Sequence, residues 1–194
     1  MLTNEKQERG QVEPSDLQLI ERVKEGDMRS FEMIMNRHKA KVAAVIFGMI
    51  SDTDSAEDIG QEVFIRFFKT IGNFKGDAEL STYLIRIAIN LSINELNRNR
   101  KRALVPLEKM STAETAGISD GNDSSENNEL KEVLDKAIHL LDPKYKKVIV
   151  LRLVNGYSTK ETAEILNLPM GTVLSRLARG QKKLQQMLEP YVKN

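Results

Sequence analysis

Residues Gly156 to Leu184 read GYSTKETAEILNLPMGTVLSRLARGQKKL, and the local chemistry of this stretch decides the fold. Ser158 and Glu161 form a capping box in which the hydroxyl accepts the amide of Glu161 and the carboxylate returns to the amide of Ser158. A helix therefore starts at Ser158 and carries Ala163, Ile165 and Leu166 on its apolar side. It breaks at Asn167, whose short amide side chain tolerates a left-handed turn, and helical spacing resumes around Pro169 and Gly171. The pattern is helix, tight turn, helix.

In the second of these helices Val173, Leu177, Leu184 and Leu188 fall within about 60° of one another at roughly 100° per residue, which makes a buried stripe. Thr172, Ser175, Arg176, Arg179 and Lys183 cluster about 120° away on the wheel. No acid interrupts them, since Glu189 is the first carboxylate after Glu164. Hydroxyls and guanidinium groups without acids suit phosphate oxygens and the O6 and N7 acceptors of guanine in a major groove. The same residues on an ordinary helix hairpin would simply be solvated.

Working outward, Leu130, Val133, Leu134, Ala137, Ile138 and Leu141 form one apolar helical face, and Asp142 with Pro143 starts another helix that Asn155 and Gly156 stop. Upstream lies STAETAGISDGNDSSENNE, residues 111 to 129, which is nearly free of large apolar groups and reads as a flexible linker. Before it, four helices are expected. One holds Leu17, Leu19, Ile20 and Val23 before Gly26; a second runs from Met28 to Ile50. A third is capped by Asp54 and carries Ile59, Val63, Phe64, Phe67, Phe68 and Ile71; the fourth opens at Ser81 and runs to Arg102. Gly60 inside the third costs roughly 1 kcal/mol relative to Ala.

The fold class is accordingly all-α, with two small helical domains at 15–102 and 130–194, a flexible acidic linker at 103–129 and a disordered tail at 1–14. Composition agrees: the 194 residues are 40% hydrophobic and 29% charged, with 5% aromatics and no Trp, which suits helices better than a sandwich or barrel. The whole chain carries a net charge of +1. By segment, 1–102 holds 16 basic and 16 acidic residues, 103–129 holds 1 and 6, and 130–194 holds 12 and 6. A basic module thus follows an acidic connector.

Several chemistries are excluded or disfavoured. There is no Cys, so disulfides, thiolate ligands, Cys nucleophiles and Fe–S clusters are out, and only His38 and His139 supply imidazole. Both histidines are expected on partly solvated helix faces without a role. No Walker loop or HExxH motif occurs, and no catalytic, cofactor or metal residue is assigned. The longest apolar run, Val42 to Ile50, is too short to span a membrane. The expectation is a soluble, cytoplasmic protein with no membrane insertion.

Three blocks together resemble one family. Gly156 to Leu184 resembles the promoter-binding domain of bacterial sigma factors of the extracytoplasmic-function (ECF) class. DSAEDIGQEVFIRFFKTIGNFKGDAELSTYLIRIAINLSINELNRNRKR, residues 54–102, is similar to the other sigma domain, and GDMRSFEMIMNRHKAKV, 26–42, resembles its opening. The resemblance implies a subunit that binds core RNA polymerase (β′ clamp helices and β subunit) and promoter DNA, with an anti-sigma factor as a further partner.

By that resemblance, Asp58, Gln61, Glu62 and Arg66 face the β′ clamp helices; as i, i+4 neighbours, 58, 62 and 66 share one face, where an intrahelical Glu62–Arg66 pair is the plain alternative. Phe74, Lys75, Gly76 and Asp77 match a loop that captures a flipped base of the non-template strand, and a simple connector is the alternative. Arg86, Asn90, Asn94 and Asn97 form a polar stripe suited to the -10 strand, opposite Leu84, Ile87, Leu91 and Leu96. Thr172, Ser175, Arg176, Arg179 and Lys183 are the corresponding -35 contacts. The chain departs from the family pattern at Tyr83 and Phe68, where Trp is frequent, and at Gly60. The other reading of the whole is a helix-turn-helix regulator that binds duplex DNA independently of polymerase, normally as a symmetric dimer.

Overall fold

The computed structural model describes residues 13–103 and 126–192, and among these every regular element is helical. The all-α expectation holds. In chain order the α-helices are α1 (Asp16–Lys24), α2 (Met28–Met49), α3 (Thr53–Thr70), α4 (Leu80–Ala103), α5 (Glu126–Leu140), α6 (Pro143–Ile149), α7 (Thr159–Leu166) and α8 (Met170–Val192). Apart from Ala103 at the end of α4 and 126–129, the first turn of α5, the expected linker lies outside the described residues. So does the expected tail, except Glu13 and Pro14.

The N-terminal module is built on α2, which packs against α1, α3 and α4. Its apolar face, Phe31, Ile34, Val42, Val45, Ile46 and Met49, recurs at helical spacing and is buried. Phe67 of α3, fully buried, collects the aromatic residues: Phe31 at 6.2 Å, Phe74 at 6.2 Å and Tyr83 at 6.1 Å between ring centroids. Each such pair adds about 0.5–1.5 kcal/mol beyond the area it buries. Tyr83 and Phe68, which stand in place of frequent Trp, keep aromatic contacts, with Phe68 5.0 Å from Phe31. Gly60 lies within an unbroken α3.

The helix ends follow the sequence with one correction. Ser15 forms a capping box with Gln18, and Asp27 caps α2 by accepting the amides of Arg29 and Ser30. α3, however, is capped by Asp52, whose carboxylate accepts the Ser55 amide at 2.8 Å, and not by Asp54, which lies in the first turn. Both acids occupy plausible positions in the sequence; the cap goes to the one on extended backbone, with φ -79° and ψ 119°. α4 opens one residue earlier than expected, at Leu80.

His38 also departs from expectation. It is 5% exposed, and its Nε2 lies 2.9 Å from Asp16 Oδ2, while Arg37 Nη1 donates to Asp16 Oδ1 at 2.6 Å. Arg37 Nη2 also donates to the Pro14 carbonyl. One carboxylate at the start of α1 thus ties it to the middle of α2.

In the C-terminal module α8 packs on α5, α6 and α7. α6 passes into a π turn, Val150–Val154, in which the amide and side chain of Asn155 both reach back to the Val150 carbonyl. The capping box at Ser158 and the left-handed Asn167, φ 50°, form as read from sequence, and Val173 and Leu184 of α8 are buried. The two modules share one continuous apolar core in which Val150 and Leu151 join residues of α2.

The capping correction is directly measurable. Asp52→Ala should lower stability by about 1 kcal/mol in urea unfolding, whereas Asp54→Ala, which loses only a favourable charge near the helix start, should cost a few tenths. A larger loss for Asp54→Ala than for Asp52→Ala would return the cap to Asp54.

Candidate nucleic-acid interface

Four surfaces hold the residues singled out in the sequence. On α8, Ser175, Arg179 and Lys183 are exposed while Thr172 and Arg176 are half-buried. Ser175 Oγ donates to the Thr172 carbonyl at 3.1 Å, and Lys183 Nζ stands 5.9 Å from the centre of the Tyr145 ring. Arg176 lies close enough to Lys147 of α6 that, after burial, its charge is the next cause lowering the Lys147 pKa. This face therefore has a positive potential, with Lys183 over the Tyr145 ring.

Around the loop between α3 and α4, Lys75, Gly76 and Asp77 are exposed and Phe74 is half-buried, its ring 5.3 Å from that of Tyr83 and nearly perpendicular to it. Phe74 is thus held by its neighbours. Gly76 has φ +78°, a conformation that L side chains rarely adopt, and a Cβ there would sit 3.3 Å from Leu17 Cδ2. A cavity of about 290 Å³ opens between the start of α1 and this loop, lined by residues that include Ser15, Leu17, Phe74, Gly76 and Glu79. The contribution of α1 was not legible in the sequence, because it arises from the Asp16 contacts with Arg37 and His38.

Along α4, Asn90, Asn94 and Asn97 are exposed and Arg86 is half-buried. Arg86 donates from Nε and Nη2 to the Glu164 carbonyl near the end of α7, at 3.2 and 2.7 Å. The carbonyl end of a helix carries partial negative charge, so the guanidinium is well placed there. On α3, Asp58, Gln61 and Arg66 are exposed, and Arg66 Nε pairs with Glu62 Oε1 at 2.6 Å. The i, i+4 pair anticipated from spacing is formed. Among the described residues no group of three His, Asp or Glu could hold a metal ion, and no helix is long and apolar enough to cross a membrane.

Lys146 escaped the sequence reading. It is 2% exposed, and its Nζ donates to the His139 carbonyl at 2.6 Å and to the Met49 carbonyl, the last of α2, at 3.4 Å. The signal existed: Lys146 stands three and four residues before Ile149 and Val150, so it shares their buried face. Burial, with the Arg100 charge adding to it, lowers its pKa to about 8. His139 Nδ1 is buried with no hydrogen-bond partner among the described residues, and burial, then the Lys146 charge, hold the imidazole pKa below its ordinary value.

Both modules match family models: residues 34–102 match sigma-70 region 2 and residues 131–184 match sigma-70 region 4. The chain belongs to the ECF class of sigma-70 family factors. Among its relatives, the RNA polymerase sigma-H factor of Pseudomonas aeruginosa is 31% identical over 192 residues, covering 94% of this chain and 98% of that one. The ECF RNA polymerase sigma factor SigW of Bacillus subtilis is 35% identical over 179 residues, covering 87% and 94%. In fold, this sigma factor is similar to CnrH, solved in complex with the cytosolic domain of CnrY, with a TM-score of 0.65 at 24% identity, covering 89% of this chain and 96% of that one. With two sigma regions in family order, the reading as an independent helix-turn-helix regulator falls away.

Lys146 gives this sigma factor a pH signature. Its pKa is about 8 folded against 10.5 for an unperturbed lysine, so between those values the unfolded chain holds more protons. The cost of keeping the charge buried is constant below pH 8 and is relieved as the pH rises toward 10.5. The stability of wild type relative to Lys146→Met should therefore be flat below pH 8 and improve above it. A flat difference throughout would mean that Lys146 titrates as a solvated lysine.

Proposed function

We propose that this sigma factor directs core RNA polymerase to promoters by docking α8 on the -35 element and by reading and melting the -10 element with α4 and the loop before it. The observation that carries the reading is the acid-free face of α8, set behind a left-handed Asn167 turn and a capped α7. That arrangement presents Thr172, Ser175, Arg176, Arg179 and Lys183 as a major-groove surface. Arg176 is the candidate for bidentate contact to guanine, and Lys183 for a phosphate contact.

In the same reading the exposed face of α3, with Asp58, Gln61, Glu62 and Arg66, meets the β′ clamp helices, and the acidic linker crosses the basic interior of polymerase. The domain limits in this reading are 15–102 and 130–194. The Gly76 loop captures a base of the non-template strand, with amides and polar side chains supplying edge contacts in the adjoining cavity. Asn90, Asn94 and Asn97 line the path of that strand. Structures similar in fold include CnrH in complex with the cytosolic domain of CnrY and the sigma factor RpoE in complex with the anti-sigma factor NepR from Bartonella quintana; an anti-sigma factor for this chain fits the same reading. The protein would act in the cytoplasm and catalyse no reaction itself.

Arg176→Ala should cost on the order of 1–3 kcal/mol in binding and relax preference at one base pair, whereas Lys183→Ala should weaken all sequences alike and reduce the salt dependence. Equal losses across base variants for Arg176→Ala would make it a phosphate contact. Replacing Phe74 to Asp77 with Gly/Ser should spare core binding and upstream docking but abolish permanganate reactivity of promoter thymines. A pre-opened bubble template should restore transcription. Normal thymine reactivity on closed duplex would reduce the loop to a connector.

A further inference from the structure

Hydroxyls and cations do not make up the whole outward face of α8. Met170 and Leu174 are 52% and 51% exposed. Single apolar residues on a surface need no explanation, but these two are i, i+4 neighbours in the first two turns of the helix, and they lie in the acid-free stretch between Glu164 and Glu189. At roughly 100° per residue, Gly171, Leu174, Ser175 and Ala178 fall within about 100° of one another, on the side away from the buried Val173 and Leu184. All four are exposed. A Cβ at Gly171 would meet nothing within 4 Å. Leu174 is thus the one long side chain in a patch of small ones, and the backbone around it is free to approach a partner closely.

We infer that Leu174 is a specificity-determining residue of the upstream contact, packing on the 5-methyl group of one thymine in the -35 element, with Met170 covering that methyl from the preceding turn. The inference rests on the reading of α8 as the major-groove helix. The surroundings select a nucleic acid over an apolar protein surface: exposed Arg179, Lys182 and Lys183 and half-buried Arg176 are the charged neighbours of the patch, and no carboxylate stands among them. Base chemistry then selects the pair. The thymine methyl is the one apolar group that base edges present in the major groove, where the other features are hydrogen-bond donors and acceptors. Leu has neither, so against a cytosine amine or a guanine oxygen it would displace water without replacing the lost hydrogen bond. The exposed cations supply affinity through phosphates, which carry no sequence information, and Leu174 adds a preference at a base pair distinct from the guanine assigned to Arg176.

The test uses the full chain assembled with core polymerase. Upstream elements are first selected from duplex DNA randomised over that region, and each thymine of the selected element is then replaced singly by deoxyuridine, which removes the methyl and leaves base pairing intact. With wild type, one replacement should weaken binding about fourfold, the loss expected for about one buried methyl-sized group, and the others should have little effect. With Leu174→Ala the sensitive position should lose its response to deoxyuridine, and selection should no longer favour thymine there. Leu174→Met, which keeps an apolar side chain of similar size, should retain the response. An equal deoxyuridine penalty in wild type and Leu174→Ala overturns the assignment, and so does the absence of any penalty in wild type, the result expected if Leu174 faces a protein surface instead. Failure of the α8 reading itself is seen separately: Ser175→Glu, which sets a carboxylate in the middle of the face, would then leave dependence on the upstream element unchanged.

Discussion

The burial of one face of α2 is the constraint on which the rest depends. Phe31, Ile34, Val42, Val45, Ile46 and Met49 are each withdrawn from water, and three other helices of the N-terminal module pack on α2. Fully burying a side chain of this kind contributes about 1.5–3 kcal/mol, so the face as a whole outweighs any single polar contact in the module. Arg37 and His38 at its middle hold α1, Phe31 in its first turn meets Phe67 and Phe68 of α3, and its carboxyl end receives the π turn and Lys146. Loss of that face would misplace α3, the loop at Gly76 and the seat of the second module together.

What the sequence could convey was decided by range. The Val173–Leu188 stripe, the capping box at Ser158 and the left-handed turn at Asn167 are local, and each follows from residues within a few positions of one another. The contest between Asp52 and Asp54 is also local, but two carboxylates two residues apart offer the same signal, and only the backbone angle at the cap decides. His38 and Lys146 fail differently. A histidine paired with an aspartate 22 positions earlier leaves no periodic trace, and the spacing of Lys146 to Ile149 and Val150 gives its buried face but not its acceptor, a backbone carbonyl 97 positions away. The candidate interface residues were legible as types on faces, whereas Arg86 was legible as a cation but not as one already bound to the Glu164 carbonyl.

Polar contacts between the two modules obey a different economy from those on the surface. The exposed Glu62–Arg66 pair is screened and contributes little to stability. Lys146 and Arg86 donate instead to backbone carbonyls near helix ends, acceptors that carry no side chain to mutate and no charge to titrate. The recognition therefore depends on where the helices terminate more than on which side chains they bear.

The π turn at Val150–Val154 sets the phase of everything beyond it. One residue more per turn than an α-helix rotates the following chain by roughly 100° about the helix axis and advances it by about 1.5 Å. The orientation of α7 and α8 is thus encoded as a count of residues, in the same way that a thread pitch encodes the angle of a screw head. Substitutions along Val150–Val154 leave this count intact, but a single-residue deletion would turn the whole reading head, carrying the Glu164 carbonyl away from Arg86 while leaving every helix locally sound.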